Sequence, residues 1–235
     1  LGTAMGIAVL PTLSAIASRG ERDELRRTFA WTLRVVLALA IPAAAGLILL
    51  GRPLTALVFQ RGAFDATATE RVYWGLQFFA LGLIGHSALE VVARLFYARR
   101  DMWTPFWAAL AGLITNAGLG WLLLSQLSHG AIALSNSLGA CLQVAILLVV
   151  ARDRLEGIGG RAIGRTVVRT LVATAAMTGA ILGMRQLIPD LGTLVGTALE
   201  LVVGAITYIL AAMLLGSQVI TELPRRLVER KQQRQ

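Results

Sequence analysis

Five ionisable side chains, Arg34, Glu90, Arg94, Arg169 and Glu200, stand inside otherwise apolar stretches of this sequence. A charge placed in hydrocarbon is costly, so such residues face a bundle interior or a wet cavity, pair with one another, or reach back to an interface. Glu90 and Arg94 are four positions apart, a spacing that sets both on one helix face within pairing distance. The long stems of Arg34, Arg94 and Arg169 can carry a guanidinium to the membrane surface. Glu90 has no such reach, which directs its carboxylate toward a polar cavity. Glu200 lies about two turns into the last apolar run, and the hairpin register sets Arg185 about a turn off its level. The chemistry open to such groups is recognition: a guanidinium fork grips the oxygens of a phosphate or carboxylate.

Bond-breaking chemistry finds no motif to carry it. The sequence contains no Walker A run, no HExxH and no GxSxG, and His86 and His129 fall on different segments. Glu21, Asp23 and Glu24 form a carboxylate cluster, but the arginines beside them mark it as a solvated, charge-balanced face. Cys141 is the single cysteine and sits in an apolar run, so no disulfide or cysteine-based zinc site can form, and no metal site is expected. Asn116, Ser135, Asn136 and Gln143 make a second, uncharged polar set. Interhelical hydrogen bonding accounts for them, with Gly112, Gly118, Gly120 and Gly139 allowing helices to approach closely.

The elements that must position these residues follow from composition. Hydrophobic residues make up 56% of the 235 and charged residues 15%, with a mean hydropathy of +0.70. That is too apolar for an ordinary soluble domain. Runs of about 20 apolar residues are long enough to cross a ~30 Å hydrocarbon core as helices. They are rich in Leu, Ala and Val without the alternation of an outer-membrane barrel. The expected fold is therefore all-α: a polytopic transmembrane helix bundle with a partial first helix over residues 1 to about 17 and six spans. These run over 29–50, 72–97, 105–124, 130–151, 167–187 and 193–216. Gly51-Arg52-Pro53, Ser128-His129-Gly130 and Pro189-Asp190-Leu191-Gly192 supply turn chemistry between them. Pro11 and Pro42 are expected to kink their helices. The opening residues lack the charged start of a signal peptide and read as the interior of a longer protein.

The arginines orient the bundle. Alternate connections receive Arg19, Arg22, Arg26 and Arg27; Arg99 and Arg100; Arg152, Arg154, Arg161 and Arg165; and Arg225, Arg226, Arg230, Lys231 and Arg234. The opposite side receives only Arg52, Arg61, Arg71 and Arg185. By the positive-inside rule the first set, and the carboxy terminus with it, is cytoplasmic. This also explains the net charge of +9 without nucleic acid, since the basic clusters alternate with spans and lack interleaved aromatics. The tail over 217–235 reads as a basic cytoplasmic segment beside anionic membrane lipids.

Several stretches resemble the bacterial lipid II flippases of the MurJ (MviN) family: AVLPTLSAIASRGERDELRR, GRPLTALVFQRGAFDATAT, LFYARRDMWTP at Leu95 to Pro105, and RTLVATAAMTGAILGM. The third is similar to that family's FYA-x-x-D-x-x-TP signature. The resemblance runs in order along essentially the whole chain. It implies the carboxy-terminal half of a fourteen-helix transporter of the multidrug/oligosaccharidyl-lipid/polysaccharide superfamily. Residues 1–151 would belong to the second transport lobe, 152–216 would supply two further helices that form a groove for a polyprenyl tail, and a separate amino-terminal lobe would be the partner. The implied substrate is lipid II, an undecaprenyl-diphosphate-linked precursor, moved across the cytoplasmic (inner) membrane by alternating access. Arg34 and Arg169 stand where relatives also carry arginine, and Glu90 stands at a cavity-lining position whose charge can differ among them. Some relatives bind sodium with an amide and a carboxylate. Asn116 could supply the amide, which keeps sodium possible, but residues 105–124 contain no acid to complete such a site, and no other cofactor is expected. A drug or polysaccharide-lipid exporter of the same superfamily and a non-transporting membrane scaffold are the alternatives.

Overall fold

The computed structural model describes residues 2–62, 64–187, 193–217 and 219. They form seven helices: α1 (Gly2–Arg19), α2 (Arg22–Phe59), α3 (Ala66–Ala98), α4 (Trp103–Leu127), α5 (His129–Arg154), α6 (Gly160–Leu187) and α7 (Thr193–Leu214). No strand occurs among the described residues. α2 to α7 are each long and apolar enough to cross a membrane. α2 to α6 each contain one of the spans expected from hydropathy and extend beyond it, whereas α7 ends at Leu214, two residues short of the expected 193–216.

Short, conformationally demanding connections separate the helices. Gly20 and Gly62 adopt positive φ of 73° and 56° between α1 and α2 and between α2 and α3. Asp65 caps α3 by accepting from the Ala68 N–H at 2.8 Å. Ser128 turns the chain between α4 and α5, with α5 beginning at His129. The expected Pro189–Gly192 turn and the tail beyond Val219 lie outside the described residues.

Gly51-Arg52-Pro53 is not a turn. α2 continues through it to Phe59 as a helix of 38 residues with Pro42 and Pro53 in its interior. Gly51 is there because α3 passes close by: a Cβ at this position would lie 2.9 Å from Leu76 Cδ2 and 3.3 Å from the Tyr73 ring. The Thr55 hydroxyl donates to Gly51 O and that of Tyr73 to Ile48 O, both at 2.7 Å, so side chains add hydrogen bonds to the carbonyls on either side of the one its second proline frees.

Two packing units share α2. In the first, α1, α2, α3 and α5 enclose a core that includes Leu13, Phe29, Leu33, Val91, Leu95 and Leu147. α4 packs on α5 and scarcely touches α3. Glycines set these spacings. A Cβ on Gly82 would fall 2.2 Å from Ser137 Oγ, and one on Gly139 would fall 2.7 Å from the Gly112 carbonyl oxygen. Gly118, expected to serve the same purpose, faces open space. In the second unit α6 and α7 pack on each other and on α2, around Leu50, Ala173, Met177, Ile181, Tyr208 and Ala212. The outer face of α4 bears Trp107, Leu113, Ile114, Trp121 and Leu122, all exposed in the chain and suited to lipid or another helical unit.

Candidate functional site

Arg34 begins the site. It lies on α2, and its Nε donates to Thr166 Oγ1 on α6 at 2.7 Å. Together with Arg26, Arg27 and Arg161 it lines a cleft of about 990 Å³ between the first turns of α2 and α6, with Glu156 as the acidic member. Arg26 is held by Asp23 at 3.2 Å. The chain reaches α6 through Gly157 and Gly159, whose φ values of 118° and 69° only glycine adopts without strain.

One turn further along α2, Ala38 opens a second cavity of about 650 Å³ bounded by α2, α6 and α7. Pro42, Gly46, Leu50, Ile181 and Gly204 are among its walls, which are almost wholly apolar. Its acid, Glu200, is 9% exposed and is gripped by Arg185 through two hydrogen bonds, at 2.7 and 2.9 Å. The two residues pair despite the expected offset of about one turn, because helix rotation and the reach of the arginine side chain decide the contact and residue counting across the turn reveals neither. Arg185 also donates to Leu49 O at 2.9 Å, and the Tyr208 hydroxyl donates to Ala38 O. Arg34, Ala38 and Pro42 follow at four-residue steps, so the basic cleft and the apolar groove adjoin along one stripe of α2.

The remaining charges are placed elsewhere. Arg94 Nη2 donates to Glu90 Oε2 at 3.0 Å within α3, as the spacing implied. This pair packs toward α1, where a Cβ on Gly6 would lie 3.4 Å from Arg94 Nε. Arg169 Nη1 donates to Gly216 O at 2.6 Å, which ties α6 to the end of α7. The structure thus joins Arg34 and Arg169 to the α2–α6–α7 unit and keeps Glu90 and Arg94 on the α1–α3 contact, rather than gathering all four.

The uncharged polar set divides as well. Ser135 Oγ donates to Asn116 Oδ1 at 2.8 Å between α5 and α4, while Asn136 Oδ1 accepts from His86 Nε2 at 2.9 Å between α5 and α3. Sequence reasoning had not paired His86, although its position in an apolar run was a signal that it would need a polar neighbour. One amide and one hydroxyl, with no carboxylate on α4, do not make the oxygen-rich set a hard cation prefers.

The FYA-x-x-D-x-x-TP stretch forms a clamp at the basic end. Asp101 accepts from the Thr104 N–H at 3.1 Å and the Thr104 hydroxyl at 2.6 Å, and it pairs with Arg154 at the end of α5. Arg154 also lies over the Phe96 ring, 5.8 Å from its centroid. Burial of Asp101 opposes its charge, but the Thr104 hydrogen bonds and the Arg154 guanidinium outweigh it and lower the pKa to about 2. Arg22 and Glu156 meet nearby at 3.6 Å, so the ends of α1, α3 and α5 and the starts of α2 and α6 gather at one face of the bundle.

Comparison with known proteins gives this arrangement a context. Residues 1–215 match the family described as "Lipid II flippase MurJ". The lipid II flippase MurJ of Burkholderia cenocepacia is 34% identical over 154 residues, covering 66% of this chain and 30% of that protein. The probable lipid II flippase MurJ of Rickettsia prowazekii is 29% identical over 147 residues, covering 63% of the chain and 29% of that protein. That of Vibrio cholerae is 29% identical over 146 residues, covering 62% and 28%. The matches thus take in less than a third of the length of these curated relatives. A solved structure titled "Lipid II flippase MurJ, inward closed conformation" superposes with a TM-score of 0.74 at 18% identity, over 92% of this chain and 44% of the other, and shows the shared fold.

Proposed function

The chain belongs to the lipid II flippase MurJ family and is a multi-pass membrane protein, and we propose that it supplies part of a transporter for a polyprenyl-diphosphate-linked peptidoglycan precursor. The observation that carries this reading is the stripe along α2 on which a basic cleft adjoins an apolar groove. An amphiphile with an anionic head and a long hydrocarbon tail matches both halves at once. A diphosphate linked to sugars cannot cross hydrocarbon unaided, so cations and a wet path must be provided. No covalent step is needed. The family is one of transporters rather than catalysts.

In this reading residues 1–151 form the transport lobe, and α6 and α7, within 152–216, complete the tail groove. Arg34 meets the phosphates, and Arg169 serves the same path through the end of α7. Glu90 and Arg94 line the face that an amino-terminal lobe would cover. Asn116 and Ser135 act as interhelical glue rather than as a sodium site, since the amide oxygen is already taken by the serine hydroxyl. The basic end is cytoplasmic and the membrane is the inner one, in keeping with the arginine asymmetry.

The test is complementation. Cells depleted of their own flippase receive a full-length protein carrying this segment, either unchanged or with Arg34→Ala, at matched expression. Growth and lipid II translocation are measured. Rescue by the unchanged segment, with at least a tenfold loss in translocation for Arg34→Ala, is the expected result, since one charge-assisted phosphate contact is worth about 1.5–3 kcal/mol. Full activity of Arg34→Ala would remove Arg34 from the substrate path.

A further inference from the structure

A proline inside a helix cannot donate to the carbonyl four residues earlier, and in a membrane that carbonyl has no water to turn to. α2 contains two interior prolines, so the carbonyls at risk are those of Ala38, before Pro42, and Leu49, before Pro53. These two oxygens are the ones that α7 and α6 reach. The Tyr208 hydroxyl donates to Ala38 O, and Arg185 Nη2 donates to Leu49 O at 2.9 Å. Arg185 is aimed by Glu200, and Tyr208 is buried in the cluster with Leu50, Ala173 and Met177. The side chains that supply the donors are therefore themselves fixed by the α6–α7 hairpin.

We propose that Tyr208 and Arg185 are positioning residues that latch the α6–α7 hairpin onto the two carbonyls freed by Pro42 and Pro53, so that the shape of the apolar groove follows the bend of α2. Three observations converge on this. Each donor meets the carbonyl that its proline leaves open, about three turns apart on α2. Among the described residues α6 and α7 pack on no helix except α2 and each other, so these contacts decide where the hairpin sits. Both latches adjoin the groove, whose walls include Ala38, Pro42, Leu50, Glu200 and Tyr208. At its second proline α2 is also held from the other side, where Tyr73 on α3 donates to Ile48 O. At Pro42, by contrast, the freed carbonyl of Ala38 is met from α7 by Tyr208. The inference stands whatever the transported lipid is.

A double-mutant cycle separates a latch from ordinary packing, because alanine at position 42 restores the missing N–H and satisfies Ala38 O from within α2. The purified protein in lipid nanodiscs is compared as the parent, Tyr208→Phe, Pro42→Ala and the double variant, by thermal unfolding and by amide hydrogen exchange across α7. Tyr208→Phe is expected to lower the unfolding midpoint by roughly 2–4 °C and to speed exchange in α7 when Pro42 is present. Both effects should fall to less than half when Pro42 is replaced. Any other contact of the phenol is lost in both backgrounds and cancels. A second cycle, Arg185→Gln with and without Pro53→Ala, both in a Glu200→Gln background so that no acid is left unpaired, tests the other latch in the same way. If each substitution costs as much with the proline as without it, Tyr208 and Arg185 are packing residues only and the proposal is overturned.

Discussion

The lobe built from α1 to α5 and the α6–α7 hairpin are equally apolar, yet they are held in place by different means. The lobe is held by shape. Gly82, Gly112 and Gly139 bring backbones together, and Phe29, Leu33, Val91 and Leu147 fill the space between several helices. The hairpin has α2 as its partner, a smaller core, and hydrogen bonds from long side chains to backbone oxygens. In a bilayer the lipid is as apolar as the helix, so no hydrophobic force drives one span against another. A helix surrounded by others gains enough from dispersion alone. A hairpin leaning on one neighbour needs polar contacts that lipid cannot replace.

The sharpest way to break this comparison is to enlarge a glycine in the lobe. Gly139→Val should destabilise the protein by about 3 kcal/mol, because the atom it meets is the Gly112 carbonyl, which cannot swing aside. An unchanged unfolding midpoint in detergent would show that shape does not hold the lobe. On the hairpin side, Glu200→Ala leaves Arg185 without its acid. The full cost of breaking a buried pair is reduced to about 2 kcal/mol, because the arginine side chain is 38% exposed. The loss should appear as earlier unfolding of α6 and α7 in hydrogen exchange, with α5 unaffected.

The clamp at Asp101 extends the comparison to polar contacts at the rim of the lobe. Its folded pKa of about 2 lies below the ordinary 3.8, so its contribution is complete above pH 3.8 and is lost as the pH falls through about 2. After allowance for solvent screening this amounts to on the order of 1 kcal/mol. The midpoint of the parent should therefore fall more than that of Asp101→Asn between pH 5 and pH 2, and parallel curves would dismiss the clamp. The smallest effect is expected from Gly118→Ala. That position faces open space, and its stability should change by less than about 0.5 kcal/mol, in contrast to Gly139 on the facing helix.

The helices were readable from sequence because span length, turn residues and alternating arginines are properties of single segments. Pairing within one helix was readable too, as Glu90 and Arg94 show. Sequence did not reveal which glycine faces a neighbour, since Gly118 and Gly112 differ only in the rotation of α4. Nor did it show that α2 would run on past Gly51-Arg52-Pro53. A proline ends a helix when its orphaned carbonyl has no donor, and here the donor lies 136 residues away on α6. The pairing of Arg185 with Glu200, that of His86 with Asn136, and the capping of α7 by Arg169 depend in the same way on how helices are rotated against one another.

The 38 residues of α2 have a mechanical consequence. At 1.5 Å per residue the helix is ~57 Å long, nearly twice the thickness of a hydrocarbon core. Pro42 divides it into two arms, and the arm that runs back to Arg22 is ~30 Å long. A change of ~10° in the bend at Pro42 would swing the far end of that arm by ~5 Å. That end carries Arg26 and Arg27, which face Arg161 across the basic cleft. α2 can in this sense act as a lever whose fulcrum lies beside the groove, and an adjustment of ~1 Å at Ala38, where Tyr208 grips it, becomes a movement about five times larger at the cleft, comparable to the width of a phosphate group.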